Sequence, residues 1–561
     1  MFNQNTVTRL QIPRSFKKIA PTVTTTFNAG DLVPFFNMEI IPNDRISLDI
    51  ETVTNMTTPN FATMDTLYQH IAFFYCPNRL VWENWDKFYG EGKNASYTTF
   101  VQKYVPQLSC PSGGWAEHTV ADYLGVTTKK ACHSINALVT RMFAMIYNEY
   151  YRDEQRQAPA LISTGDSNQT GTNGSNTVND LQNGGIVPKA CRLYDYFTGS
   201  KLEFQAGAPA TIPLGTTAPV VGNGKPIGLQ KNDLINPLST DKYAMLWSNG
   251  SAYHLGLSST GIGTGLGSTG TNGNETSTTN NGLIGLSRQP DFSGMVTDLA
   301  NAQGITVREF KKVLMAQQVL QNLEDGGTRY IEQLNKRWGV NANELELEIP
   351  KFLGAKTTIL NMAMVVGTGA KPTSGTTDYE FGQLTGMSNT YDNGAIFTYH
   401  FKQHGYLFGI VTIRPFNTYE NGINKSLVKQ SIDDYYKPEM AYLGPDIVRN
   451  YEIYSDSSDG LDDAMFGVRN YGDELRYIPN KVTGQMRTNA TYSQAYKTYS
   501  INYATRPTNG DTFIKQSQAQ IDKTLTTTST TMDQFVFQAK LIIKMTRNLP
   551  KNPQAEQLIR L

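Results

Sequence analysis

The residue patterns best able to do chemistry are few, and each lacks something its reaction would need. His400 and His404 are the closest histidine pair. On a strand an i, i+4 pair shares a face but stands about 13 Å apart, too far to hold one metal ion. Gly265 to Gly270, GLGSTG, matches the dinucleotide fingerprint Gly-x-Gly-x-x-Gly, yet it follows no strand pattern and opens no helix. Gly222 to Pro226, GNGKP, has the Gly-Lys of a phosphate loop without its first glycine or its Ser/Thr. Asp433-Asp434 and Asp462-Asp463 are adjacent carboxylates, which suits a calcium loop or plain solvation. There is no Gly-x-Ser-x-Gly and no His-Glu-x-x-His. The sequence therefore assigns no catalytic, cofactor-binding or metal-ligating set, and a non-enzymatic chain without a cofactor is expected.

What remains is charge. The chain carries 49 Lys and Arg against 49 Asp and Glu, which excludes a protein that grips nucleic acid over its whole surface. The distribution is uneven. No acid precedes Asp31, while Arg9, Arg14, Lys17 and Lys18 are all present. The last 25 residues hold Lys540, Lys544, Arg547, Lys551 and Arg560 against Glu556 alone. Two readings stand: polar termini with incidental charge, or termini on an inner surface that faces nucleic acid. On the second reading the candidates are Arg9, Arg14, Lys17, Lys18, Arg547 and Lys551. RYIPNKVTGQMR (Arg476 to Arg487) mixes Arg476, Tyr477, Lys481 and Arg487, as a base-stacking surface or an intersubunit contact would.

Charged residues make up only 17% of the 561 residues, so surface polarity must come mainly from Asn, Thr, Ser, Gln and the 30 Tyr. Tyr suits interfaces that are apolar in body and wet at one end. Cys76, Cys110, Cys132 and Cys191 form no Cys-x-x-Cys pair, and reduced, mostly buried thiols are expected. The first residues lack an apolar core of signal-peptide length, and no apolar run approaches the ~18 residues of a membrane span. A soluble chain made in a cytoplasm is expected.

The elements that must position these residues are mainly strands. Ile46, Leu48 and Ile50 share one face, as do Phe535, Phe537, Ala539, Leu541, Ile543 and Met545, with Gln538, Lys540 and Lys544 opposite. LYQHIAFFYCP (67–77), KTTILNMAMVVG (356–367) and GYLFGIVTIRP (405–415) are apolar on both faces, as strands inside a sandwich are. Helices are expected over 80–89, 134–151 and 307–323. Val307, Phe310, Leu314 and Leu320 recur at helical spacing before the Gly326-Gly327 break, the bare pattern of a buried helical hairpin. Two low-complexity runs interrupt the pattern. Residues 163–180 hold 14 Gly, Ser, Thr or Asn among 18, and 258–282 hold 22 among 25. Such runs cannot bury enough apolar surface to offset ordering, so both are expected exposed and mobile. Periodicity alone gives a β-sandwich with large insertions.

The string REFKKVLMAQQVLQNLEDGGTRYIEQLNKRWGVNANELELEIPKFLG (308–354) resembles the major capsid proteins of microviruses, small single-stranded-DNA phages, in particular the gokushovirus-like branch. Further blocks in order are similar to the same family. They include FNAGDLVPFFNMEIIPND (27–44), FATMDTLYQHIAFFYCPNRLVWENWDKFYGE (61–91), PSGGWAEHTVADYLG (111–125), INALVTRMFAMIYNEYYRDEQ (135–155), DYFTGS (195–200) and TRNLPK (546–551). Two departures are KLEFQAG after DYFTGS, in place of Pro-Trp-Pro, and MAYLGPD (440–446), which lacks Gly-Glu-Gln.

The resemblance implies an eight-stranded antiparallel jelly-roll β-sandwich. A single capsid domain over 1–561 would have its core at about 21–155 and 305–561. Its insertion region would be 156–304, with about 215–290 a surface protrusion used in host attachment. Tyr243, Trp247 and Tyr253 are candidate anchors at the base of that protrusion. Implied partners are other copies of the chain through pentameric precursors, packaged single-stranded DNA, a small basic DNA-packaging protein, a DNA pilot protein, an internal scaffolding protein and a host surface receptor. The location implied is the virion. A surface carbohydrate-binding β-sandwich is the alternative from another class.

Overall fold

Alternating apolar residues become strands wherever one face can be buried. The computed structural model describes residues 13–57, 59, 63–90, 103–211, 220–222, 228–231, 242–244, 284–286, 295–297, 306–327, 329–366, 384–441, 444–487 and 498–551. The chain opens with β1 (Ser15–Ile19), β2 (Thr22–Phe27), β3 (Val33–Ile40), β4 (Arg45–Met56) and β5 (Leu67–Pro77). Two single turns follow, α1 (Asn78–Val81) and α2 (Trp85–Phe88), in place of the one helix expected over 80–89. Trp82 between them is extended (φ −147°, ψ 111°), which breaks the helical path. Next come β6 (Gln107–Ser109), α3 (Val120–Tyr123), β7 (Ile135–Asn136), α4 (Ala137–Ile146) with a π-helical turn to Tyr151, and β8 (Gln169–Thr170).

Short strands β9 (Val220–Gly222), β10 (Gly228–Lys231), β11 (Lys242–Ala244), β12 (Ile284–Leu286) and β13 (Met295–Thr297) precede α5 (Val307–Gly326) and α6 (Tyr330–Trp338). The remaining strands are β14 (Lys351–Ile359), β15 (Met362–Val366), β16 (Leu384–Ser388), β17 (Thr390–His400), β18 (Gly405–Pro415), β19 (Pro445–Arg449), β20 (Met465–Asn470) and β21 (Phe535–Arg547).

The fold is mainly β, with two antiparallel sheets at its centre. One has the order β1-β21-β4-β17, and β2 also pairs with β21. β1 lies against Ile543–Arg547 and β2 against Phe535–Lys540, so the two form one interrupted edge. The other sheet has the order β14-β5-β18-β3. The alternating sets of β4 and β21 named from the sequence are all buried and meet Phe35, Ile71, Phe73, Tyr75 and Leu407 of the facing sheet in one core. Phe35 and Phe537 cross the gap edge to face at 5.4 Å. Each large side chain fully buried here contributes about 1.5–3 kcal/mol.

A second core lies on the far side of the β5–β18 sheet. Ala72, Phe74, Cys76, Phe408 and Ile410 point away from the sandwich and meet Val81, Trp82, Val120, Leu138, Met142 and Phe143. This is why β5 and β18 are apolar on both faces. α4 starts where the Asn136 side chain accepts from the Leu138 N–H at 2.9 Å, a side-chain N-cap.

Three further expectations change. KTTILNMAMVVG is two strands divided at Leu360-Asn361, and β15 is largely exposed rather than buried on both faces. α5 and α6 flank the Gly-Gly break as the pattern predicts, but neither has a buried residue, so the hairpin is not a buried one within this chain. Residues 163–180 are not a free loop. β8 pairs in parallel with β6, Gly171 donates to the Ser109 carbonyl at 2.8 Å, and the Asn173 side chain bridges the Ala116 N–H and the Gly114 carbonyl. A Cβ at Gly171 would lie 2.4 Å from the Trp115 ring. Here Gly permits close approach and Asn replaces backbone partners, so the polar composition does not signal a free loop.

By contacts the chain forms two units, Met1–Phe204 with Gly326–Leu561, and Gln205–Asp325. Taken by itself, the second has a β11-β10-β12 sheet, a β13-β9 pair and α5. At its start the Ala210 N–H donates to the Gln317 side chain at 3.2 Å.

Candidate nucleic-acid interface

The sheet containing β4 and β21 buries one face and leaves the other to solvent. Strand alternation puts Arg45, Ser47, Asp49 and Glu51 of β4 opposite the buried Ile46, Leu48 and Ile50. Gln538, Lys540 and Lys544 of β21 lie on the same outward side. Lys18 of β1 sits across from Lys544, and Phe16 across from Thr546. At the other edge, Tyr391, Asn393, Thr398 and His400 of β17 register with Val53, Glu51, Ser47 and Arg45. The face thus carries four cations, Lys18, Arg45, Lys540 and Lys544, and two anions, Asp49 and Glu51.

Both anions are already engaged. Lys544 meets Asp49 and Lys540 meets Glu51, each at 2.9 Å. The hydrogen bond to Glu51 holds the Lys540 ammonium above the usual lysine range. Lys18 and Arg45 are exposed and have no ion pair among the described residues, which leaves a net positive, polar sheet. Phe16 is 67% exposed and Tyr391 61%, so the two edges present aromatic rings. Flat polar groups, unpaired cations and exposed rings are the features a single-stranded nucleic acid can use, through phosphate contacts and base stacking.

The sequence candidates divide on this surface. Lys18 is on the outward face. Lys17 registers with the inward Met545 yet remains exposed, because β1 ends the sheet. Arg14 is exposed and donates to the Asn548 side chain at 2.9 Å and the Asn43 carbonyl at 3.2 Å. Lys551 is exposed. Arg547 is engaged within the subunit. Its guanidinium is held by both carboxylate oxygens of Asp44, a fully buried acid, with Nη2 at 2.8 Å from Oδ2, and it donates to the Glu39 carbonyl at 2.9 Å. That charge is balanced by Asp44 within the same subunit. Arg9 lies outside the described residues. Tyr243 falls on β11, while Trp247, Tyr253 and the run 258–282 lie outside the described residues. Sequence reasoning missed Arg45 and Tyr391. The signal for Arg45 was the alternation of RISLDIE, which fixes the outward set as firmly as the inward one.

The decoys resolve into structural contacts. His400 Nε2 lies 2.8 Å from the Asn43 side chain and His404 Nε2 lies 3.0 Å from the Tyr89 hydroxyl, so the two serve different partners. Arg506 Nη2 sits between Asp459 at 2.8 Å and Asp462 at 2.9 Å, filling with a guanidinium the place a divalent ion would need. Asp434 caps the backbone at Ser431 and Gln430, which pulls its carboxyl down to about 2. Among the described residues no three acids, histidines or cysteines group to hold a metal. GLGSTG lies outside the described residues, as does GNGKP beyond Gly222. In RYIPNKVTGQMR, Tyr477 stacks on Tyr196 at 5.0 Å and 8°, and the segment walls a cavity of about 330 Å³ with Tyr419, Lys425 and Glu452. Cys76 is buried, while burial pushes the half-buried Cys191 thiol up to about 11. All four cysteines are free.

The capsid family described as "Capsid protein (F protein)" matches residues 2–555. The chain belongs to this phage capsid family. It is 30% identical over 537 residues to capsid protein VP1 of Chlamydia phage 1, covering 89% of each chain. It is 29% identical to capsid protein VP1 of Bdellovibrio phage phiMH2K, over 93% of this chain and 90% of the relative. It is 28% identical to capsid protein VP1 of Spiroplasma virus 4, over 92% and 90%. A capsid protein acts by structure. Among the described residues no helix is long and apolar enough to cross a membrane.

Proposed function

We propose that the chain is the major coat subunit of an icosahedral phage shell that encloses a circular single-stranded DNA genome, with a structural rather than enzymatic role. The observation that carries this reading is the capsid-family match over residues 2–555. The two strand orders support the finer assignment of an eight-stranded jelly roll, with β1 and β2 counted as one strand: β2-β21-β4-β17 faces β3-β18-β5-β14. The bare face of the first sheet is the proposed DNA-facing surface. A small surplus of cations per subunit suffices there because the shell repeats it, and a separate small basic packaging protein would share the load.

The insertion around 215–290 is proposed as the outward protrusion that meets the host receptor, since its Gly/Ser/Thr/Asn tip lacks the apolar residues an intersubunit position would need. Many weak contacts on one particle would then sum by avidity. Scaffolding and pilot proteins complete the partner set during assembly. Electron microscopy and native mass spectrometry of the chain expressed with an internal scaffolding partner and DNA test the reading. Closed shells or pentamers are expected; monomers alone under those conditions would overturn it.

A further inference from the structure

β15 and β16 form a two-stranded ribbon that leaves the sandwich between β14 and β17, the edge strands of the two sheets on one side. The register sorts its residues. Met364, opposite Gly386, and Val366, opposite Leu384, share one face; Ala363 and Met387 are paired on the other. Met364 is 65% exposed and Val366 49%, while Met387 is 53% exposed, so both faces present apolar side chains to solvent. Ile359, at the end of β14 beside the foot of the ribbon, is 53% exposed as well. Met362, at the foot, packs against the sandwich core.

A two-stranded ribbon is marginal in water unless something covers it. This one is apolar on both sides, so cover on one side alone would not suffice. We infer that the ribbon is a contact between copies of this chain, with neighbouring subunits covering Met364 and Val366 on one face and Met387 on the other. The occupant follows from charge and place. Neither Met362–Val366 nor Leu384–Ser388 contains a charged residue, so the ribbon offers nothing to phosphate, unlike the bare sheet with Lys18 and Arg45. It stands where both sheets end in an edge strand, the side on which a second sandwich can abut both at once. A subunit of a capsid family supplies that second sandwich in quantity. The inference rests on the shell reading and adds the surface through which copies meet.

Methionine oxidation reads it directly, because a covered thioether reacts slowly with peroxide. Intact shells and subunits dissociated from them are treated with dilute hydrogen peroxide, and sulfoxide at each Met is followed by peptide mass spectrometry. Met364 and Met387 should oxidise roughly tenfold more slowly in shells than in subunits. The protection should persist in shells emptied of DNA. Equal rates in shells and subunits would overturn the inference while leaving the shell reading intact, since shells would have formed. Protection lost on emptying would give the surface to DNA and equally overturn it. As a second arm, Met364→Lys with Met387→Lys should yield folded, soluble subunits that no longer assemble, while Met364→Leu with Met387→Leu assembles. Normal assembly of the lysine variant would also refute it.

Discussion

β5 and β21 are neighbouring kinds of strand with opposite outer faces. In β5, Ile71, Phe73 and Tyr75 enter the sandwich core while Ala72, Phe74 and Cys76 enter the helix-side core, so both faces are buried. In β21 the inward set is equally buried, but Gln538, Lys540 and Lys544 remain in solvent. The inner faces make the two sheets one body. The outer faces differ: one sheet is closed off by α1, α3 and α4, and the other is left open to solvent.

The comparison breaks most visibly at Phe74. Its ring meets Tyr150 at 4.8 Å, Tyr151 at 5.8 Å and Phe352 at 5.7 Å. Phe74→Ala should cost about 3–5 kcal/mol in denaturant unfolding of the subunit, through lost burial plus a cavity. A loss below about 1 kcal/mol would mean that the second core is not one.

His70 sharpens the contrast by pH. It lies on the covered sheet, bonds to Thr357 at 3.0 Å, and is pushed down to about 4 by burial and then by Arg414. The folded form therefore holds His70 neutral where the unfolded chain takes up a proton below about 6.5. Stability should fall as pH drops from about 6.5 towards 4, by about 2–3 kcal/mol at the lower end. His70→Gln should remove that part of the slope, as seen in denaturation midpoints across this range.

The smallest effect on stability belongs to the open face. Lys18→Gln with Arg45→Gln should leave the denaturation midpoint unchanged, since neither cation pairs with an acid among the described residues. The same variant should lower the DNA content of particles, measured from absorbance ratios. A shifted midpoint with unchanged DNA content would give these residues a structural role instead.

These contrasts also show what a sequence exposes. Alternation in β4 and β21 and the two-faced apolar runs of β5 and β18 could be read directly, because burial on one or two faces sets side-chain type at period two. The fate of individual charges could not. Arg547 and Lys544 lie three residues apart and so on opposite faces of β21, but that one is locked to buried Asp44 and the other sits in a solvent-facing pair with Asp49 is set by long-range pairing. Composition also misled at 163–180, where Gly171 and Asn173 serve close packing around Trp115. The capping of Asp434 and the Arg506 contacts of Asp462 likewise depend on loop geometry that adjacent carboxylates do not reveal.

The open sheet, and not the helix-covered one, is the surface proposed to meet the genome. Ultraviolet crosslinking of DNA-filled particles, followed by mapping of nucleotide adducts on peptides, tests it. Adducts are expected at Phe16 and Tyr391 on the edges of the open sheet. Adducts confined to Phe88 and Tyr89, beside the helix layer, with none on β1 or β17, would contradict it.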